Sequence, residues 1–325
     1  MLKKHPLIGF TLFGVVLFLV SNRVDELRVF QGATVAIYVI AIASIILLTG
    51  YSGQVSLGHG ALLAIGGYAA ALSRNHWGAP VWLTFVIAVL AAALGGYLLG
   101  LAAARLSGPY LAGTTLALAI GLPSIANQFS IFGGEQGLLY DIGMPPASLG
   151  ADFTQYKWYF WIASLAALIA IYWLRNVMNS RYGRNWKAVR GNDVAAELAG
   201  INVGRNKVLA FTVSAGLAGL AGALLAMTIS TVSPGAFPLA LSFSLATGAV
   251  LSGVTTLGGV MIGAVTLVAI PEIVDTVVSR FESSDAVANN LPGLLVSTLL
   301  ILTVLFVPNG PVEQLRARRE HRVNK

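Results

Sequence analysis

Ser52, Gln54, Ser56 and His59 fall within eight residues of one another in the stretch GYSGQVSLGHGALLAIGGY, Gly50 to Tyr68, interleaved with Gly53, Gly58 and Gly60. Hydroxyl, amide and imidazole groups at this spacing can hydrogen-bond a neutral or zwitterionic solute. His59 taken alone is weak evidence for proton relay, because a lone histidine between membrane helices is more often hydrogen-bonded within the bundle. With no cysteine in the chain there is no thiolate nucleophile, thiolate metal site or disulfide framework. The other polar residues are too thinly spread for most hydrolytic constellations, so enzyme chemistry is the weak reading.

The elements that must position these groups follow from composition. The 325 residues are 56% hydrophobic and 10% charged, whereas soluble domains carry roughly 25% charged residues. The apolar residues come in continuous runs and not in the polar/apolar alternation of a membrane barrel. The expected fold is an all-α integral membrane protein with about ten transmembrane helices, some of them discontinuous. The spans read as Leu7–Val20, Ala33–Thr49, Val55–Leu72, Val81–Ala104, Tyr110–Ala126, Trp158–Leu174, Val208–Ile229, Leu239–Val254, Leu257–Val278 and Leu291–Val307. Aromatic rings at both ends of Trp158–Leu174 mark two membrane interfaces. Lys3 and Lys4 ahead of the first run resemble a signal peptide, but no A-x-A-like site follows Val20, and a retained anchor helix is the reading taken.

Ten spans put both termini on one side, together with 15 of the 20 Lys and Arg. Basic residues are retained inside during insertion, so the termini, the 175–207 loop and the basic tail at 312–325 are expected in the cytoplasm. The net charge of +7 follows from this asymmetry and gives no argument for nucleic acid. Small residues recur every four positions at Ala92, Gly96, Gly100 and Ala104, and at Ser214, Ala218, Gly222 and Ala226, which predicts two packing seams. The only carboxylates within a span are Glu272 and Asp275, after Pro271, which counts against an ion-coupled carrier. No Lys is preceded by Gly or followed by Ser or Thr, so the chain has no Walker A loop.

Gly53, Gly58, Gly60, Gly66 and Gly67 weaken the third span. Helix interruption at membrane depth is tolerated only where protein covers the backbone or a polar cavity receives it, so the segment is expected beside a translocation path. An echo lies 188 residues later, where Ser56 to Ala64 aligns with Ser244 to Ser252 at five identities in nine. Two readings stand: a chance match in a Leu-, Ala- and Gly-rich chain, or an inverted five-plus-five repeat whose interface holds the path. On the second, Ser244 and Thr247 join Gln54, Ser56 and His59 as path residues.

In the longest cytoplasmic loop, Arg181, Arg184, Lys187 and Arg190 recur every three residues around Trp186, the pattern of a short helix on anionic headgroups. A second short helix should follow, capped by Asn192 or Asp193, with Val194 to Ala199 as its body and Gly200 as its stop. Two exposed helical turns are marginal alone, so a soluble partner should cover them.

With GYSGQVSLGHGALLAIGGY, GPYLAGTTLALA from Gly108, AVRGNDVAAELAGINVGRNKVLAF and LPGLLVSTLLILTVLFVPNGP, the chain resembles the permease subunits of branched-chain amino acid ABC transporters, and of the pair the one with the longer N-terminal extension. The resemblance covers nearly the whole chain. It implies that Ala195, Ala196, Glu197 and Gly200 belong to a loop whose short helix docks on an ATPase subunit. It also implies a second homologous permease chain, two ATPase chains that carry ATP and Mg, and an extracytoplasmic solute-binding protein. This chain itself would hold no cofactor. The expected function is import of branched-chain or related amino acids by alternating access. A permease for urea or short amides is the rival substrate reading, and a stand-alone channel or carrier is the rival class.

Overall fold

In lipid every backbone N–H and C=O must be satisfied within its own segment, which leaves an apolar chain little choice but helix. The computed structural model describes residues 6–106, 108–150, 153–253, 257–280, 291, 293–295, 297–298, 301–302 and 305. Its helices run α1 (Pro6–Ser21), α2 (Glu26–Ile45, continued as a π-helix over Ile46–Tyr51), α3 (His59–Trp77), α4 (Val81–Ala103), α5 (Pro109–Gln128) and α6 (Gln155–Asn179). There follow α7 (Arg181–Gly191), α8 (Asp193–Leu198), α9 (Val203–Ile229), α10 (Leu239–Ser252) and α11 (Val260–Arg280). Strands β1 (Leu138–Leu139) and β2 (Thr231–Val232) pair antiparallel, Leu138 opposite Val232, and tie the loop after α5 to the end of α9.

Local chemistry sets the ends of these elements. Asn202 accepts a hydrogen bond from the Arg205 N–H at 2.8 Å and caps α9. Gly78, at φ +59°, closes α3 in the left-handed conformation. Pro109 opens α5 from the first turn, where its missing N–H costs nothing.

Among the described residues, seven helices are long and apolar enough to cross a membrane, and they match seven of the ten expected spans. The other three differ for separate reasons. α1 has 16 residues, short of the roughly 20 that a hydrocarbon core requires. α3 has the length, but Ser73, Arg74, Asn75 and His76 make its last turns polar. Eight of the 17 residues of Leu291–Val307, and all of the tail at 312–325, lie outside the described residues. α11 runs on through Pro271, and Glu272 is exposed.

The core centres on α9, which packs against α4, α3 and α2, while α2 also meets α6, α11 and α10. Both predicted seams exist. A Cβ on Gly96 would lie 2.2 Å from the Ala215 Cβ, and one on Gly100 would lie 2.8 Å from the Val208 Cα, so that seam joins α4 to α9. Gly222 belongs to the opposite side of α9, where a Cβ would sit 1.8 Å from the Leu63 carbonyl oxygen of α3. Close backbone approach of this kind is how helices associate where water gives no driving force.

The first expected loop helix is present, with Arg181, Arg184, Lys187 and Arg190 exposed. α7 forms, but Trp186 is fully buried and donates its indole N–H to the Asn206 carbonyl at 3.1 Å. Lys187 lies over the Tyr51 ring at 4.7 Å, and Arg190 donates to the Gly50 carbonyl. The inward side of this helix is formed by Gly183, Trp186 and Val189, all buried.

Candidate functional site

The interruption expected after Gly50 is present, and its polar groups are turned inward. Helix ends at Ser52, Gly53 adopts φ +72°, and helix resumes at His59. Gln54 and Ser56 are each 4% exposed and His59 is 0% exposed. The depth of this break follows from its partners. His59 Nε2 lies 3.1 Å from the Ser214 hydroxyl, near the middle of α9, and Ser214 donates in turn to the Ser44 carbonyl of α2 at 2.7 Å. One imidazole and one hydroxyl thus join three helices at mid-depth.

A backbone that leaves helix at this depth must find partners elsewhere. The Leu57 N–H donates to the Thr115 hydroxyl of α5 at 3.0 Å, and the Gly60 N–H donates to the Ser242 hydroxyl of α10 at 2.9 Å. Gly58 makes the first contact possible, since a Cβ there would stand 2.2 Å from the Thr115 carbonyl oxygen. At the other end of the break, Gln54 donates to the Ser52 hydroxyl at 2.6 Å and to the Lys207 carbonyl at 3.4 Å. Two side-chain atoms of the break, Gln54 Oε1 and His59 Nδ1, are buried with no protein partner.

Ser244 and Thr247 sit apart from this cluster's hydrogen bonds. Thr247 is buried and donates to the Phe243 carbonyl of its own helix at 2.8 Å, while Ser244 is only partly buried. The sequence echo also fails to match the elements: Ser56 precedes α3 by three residues, whereas Ser244 stands five residues after the start of α10. Ser242, Thr115 and Ser214 are the hydroxyls through which neighbouring helices serve the break; sequence reasoning singled out only Ser214, and that as a packing residue. Their only local signal is a hydroxyl in an apolar helix, which many positions share.

In the 175–207 loop the expected second helix is α8. Asn192 is its N-cap, accepting from the Ala195 N–H at 3.0 Å. Gly200 ends it at φ +82°, with Gly200 N–H to Glu197 O at 2.9 Å and Ile201 N–H to Ala196 O at 3.0 Å, the paired bonds of a Schellman stop. Ala195, Glu197 and Gly200 are exposed, but Ala196 is 3% exposed and faces its own chain. The residues that do project are Val194, 67% exposed, and Leu198, 86% exposed. Their i, i+4 spacing was the available signal that one face of this helix is apolar and uncovered.

Asp193 at the start of α8 pairs with Lys207 of α9 at 2.5 Å. A cavity of about 430 Å³ separates α8 from the break, lined among others by Ser52, Gln54, Gly108, Arg190, Asp193 and Lys207. Among the described residues no group of three or more His, Cys, Asp or Glu could hold a metal ion.

The family described as branched-chain amino acid transport system / permease component matches residues 29–305. The high-affinity branched-chain amino acid transport system permease protein LivM of Escherichia coli is 30% identical over 305 residues, covering 86% of this chain and 68% of its own length. The permease protein LivH of Salmonella typhimurium, of the same transport class, is 28% identical over 59% of this chain and 54% of its own length. The ribose import permease protein RbsC of Haemophilus influenzae is 29% identical over 74% of this chain and 71% of its own length. No solved structure matches the chain. An interrupted membrane bundle with an exposed, doubly capped short helix, matched over most of its length, belongs to the family of branched-chain amino acid transport system permease components: a multi-pass membrane transport protein, not an enzyme.

Proposed function

We propose that the chain is the membrane-spanning permease subunit of an ATP-driven importer in a bacterial inner membrane, moving branched-chain amino acids by alternating access. The observation that carries the reading is α8: six residues capped at both ends, leaving Val194 and Leu198 exposed and held to the central helix α9 through Asp193 and Lys207. A helix this short does not persist for its own stability. Covered by an ATPase subunit, it becomes the point where closure of an ATPase dimer enters the membrane domain. Ala195, Glu197 and Gly200 lie on the docking side, and Ala196 seats the helix on its own chain.

The remaining parts of the proposal follow from this role. Residues 1–325 form one transmembrane permease unit, with the coupling loop at 175–207, a basic tail at 312–325 and both termini cytoplasmic. A second, homologous permease chain pairs with it, two ATPase chains carry ATP and Mg, and an extracytoplasmic binding protein delivers the solute. Gln54, Ser56 and His59 line the path, with Ser244 and Thr247 on the α10 side. A zwitterion suits a break that offers hydroxyl, amide and imidazole groups but no net charge.

Ten spans in an inverted five-plus-five repeat remain part of the reading. What supports the repeat is the pattern of neighbours. α2 and α9 are each a long buried helix followed by a break and a shorter helix, α3 or α10. Contacts then come in matched sets: α3 with α9 as α10 with α2, α4 with α9 as α11 with α2, and α3 with α4 as α10 with α11.

The test is co-expression with the neighbouring transport genes, purification, and reconstitution with the binding protein. Leucine, isoleucine and valine should be taken up with ATP hydrolysis, and Val194→Asp with Leu198→Asp should release the ATPase chains. A purified complex with no nucleotide-binding chain would sink the importer assignment, and uptake of urea alone would replace the substrate.

A further inference from the structure

We propose that Arg190 is the strut through which α7 moves the helix break, which makes it a positioning residue for transport. The inference rests on the coupling role of the cytoplasmic helices argued above, and it names the contact by which their movement reaches the path.

The end of α2 is where a grip is needed. The last carbonyls of a helix have no intrahelical partner, and here the helix ends as a π-helix, a form kept mostly in short pieces at functional positions. Arg190 donates from its guanidinium to one of these carbonyls, that of Gly50. One turn earlier on α7, the Lys187 ammonium sits over the ring of the adjacent residue, Tyr51, at 4.7 Å. Two cations on one helix face therefore hold two consecutive residues of the π-helix.

The contact extends to backbone. Gly53 has φ +72°, and a Cβ on it would lie 3.0 Å from Arg190 Cγ, 3.3 Å from its Cβ and 3.4 Å from its Cα. α7 therefore touches the break at the first residue that leaves helix, with its own main chain close by. From the opposite side the Gln54 side chain donates to the Lys207 carbonyl of α9, and the Gln54 N–H donates to the Leu48 carbonyl at 3.1 Å. Residues 50–54 are thus clamped between α7 and the first turns of α9. Behind the clamp, Trp186 ties α7 to α9 through the Asn206 carbonyl, so Arg190 stands on a helix that is itself anchored to the core. Five residues beyond Gln54 stands His59, the group that joins α3 to α9 and α2. The route from the cytoplasmic helices to mid-depth is one guanidinium and nine residues of chain.

The readout is solute moved per ATP hydrolysed, measured in proteoliposomes holding the complete complex with its binding protein. Arg190→Gln should lower this ratio about tenfold or more, the scale set by one charge-assisted hydrogen bond, while binding-protein-stimulated hydrolysis continues. Arg190→Lys, which can still donate to a carbonyl, should recover part of the ratio. A merely structural role would reduce uptake and hydrolysis together and leave the ratio unchanged, and that result overturns the proposal. If Arg190→Gln does not assemble, Lys187→Gln loosens the same grip without touching the Gly50 carbonyl, and an unchanged ratio there overturns it equally. A wild-type complex that hydrolyses no ATP in response to its binding protein would count against the importer assignment, not against the strut.

Discussion

Replacing Ser242 by Ala removes the hydroxyl that receives the Gly60 N–H, which it accepts at 2.9 Å. Ser242 is 1% exposed, so no water replaces it without opening α3 from α10. A buried donor left without a partner costs about 1–3 kcal/mol, and near 2 kcal/mol the unfolded fraction rises about 30-fold. Thr115→Val does the same to the Leu57 N–H, with its partner hydroxyl at 3.0 Å, and should cost a similar amount. Ser244→Ala and Thr247→Val provide the contrast, because the Thr247 hydroxyl returns only to its own helix; both should change stability by less than about 0.5 kcal/mol. The assay is unfolding of the purified chain across a series of SDS and dodecyl maltoside mixtures, followed by tryptophan fluorescence. If Ser244→Ala destabilises as much as Ser242→Ala, the hydroxyl clasp of the break is not what holds it.

Gly222→Ala forces a Cβ to within 1.8 Å of the Leu63 carbonyl oxygen, backbone against backbone, and should cost about 3 kcal/mol, the top of the overpacking range; Gly121→Ala meets nothing within 4 Å and should gain up to about 1 kcal/mol from helix propensity, as the same unfolding series will record. Gly200→Val puts a β-branched residue at φ +82° with open space around it, a purely conformational cost of about 1–3 kcal/mol; binding-protein-stimulated ATP hydrolysis should be lost, while Gly200→Asn, which tolerates that conformation, should retain it. Burial pushes the Tyr140 phenol up to about 12, against the opposing hydrogen bond with Thr84 at 2.5 Å and the nearby Arg74 charge. Its contribution is therefore complete below pH 10 and is lost as pH rises from 10 towards 12. Tyr140→Phe should remove that alkaline step in thermal unfolding, at a cost of about 1 kcal/mol near neutrality.

Local features of this chain were legible because their chemistry is local. The break at Gly50–His59 announced itself by glycines among polar residues, α8 by Asn192 and Gly200 at its ends, and the seams by small residues at spacing four. What sequence could not supply was the choice among equivalents. Ser242 and Ser244 are the same residue type two positions apart, and only the packing of α3 on α10 decides which one receives the Gly60 N–H across 182 residues. Trp186 looked interfacial because cations surround it, yet those cations find carbonyls and a ring on their own protein. The π-helix at Ile46–Tyr51 left no trace, since a stretch so apolar reads the same in either helical form. Ala196 looked like a docking surface for want of the one fact that orients α8, its ion pair with Lys207.

Two long helices of the core, α9 and α4, face very different surroundings. α9, with 27 residues, is about 40 Å long at 1.5 Å per residue, well beyond a hydrocarbon core of about 30 Å, yet 72% of its most apolar stretch is buried in protein. α4, with 23 residues, is about 35 Å long, and only 22% of its corresponding stretch is buried. Mismatch with the bilayer is therefore felt by α4 and hardly by α9. Since Gly96 and Gly100 lock α4 to α9, a thinner or thicker membrane acts on the central helix at second hand, by tilting the helix that shields it from lipid.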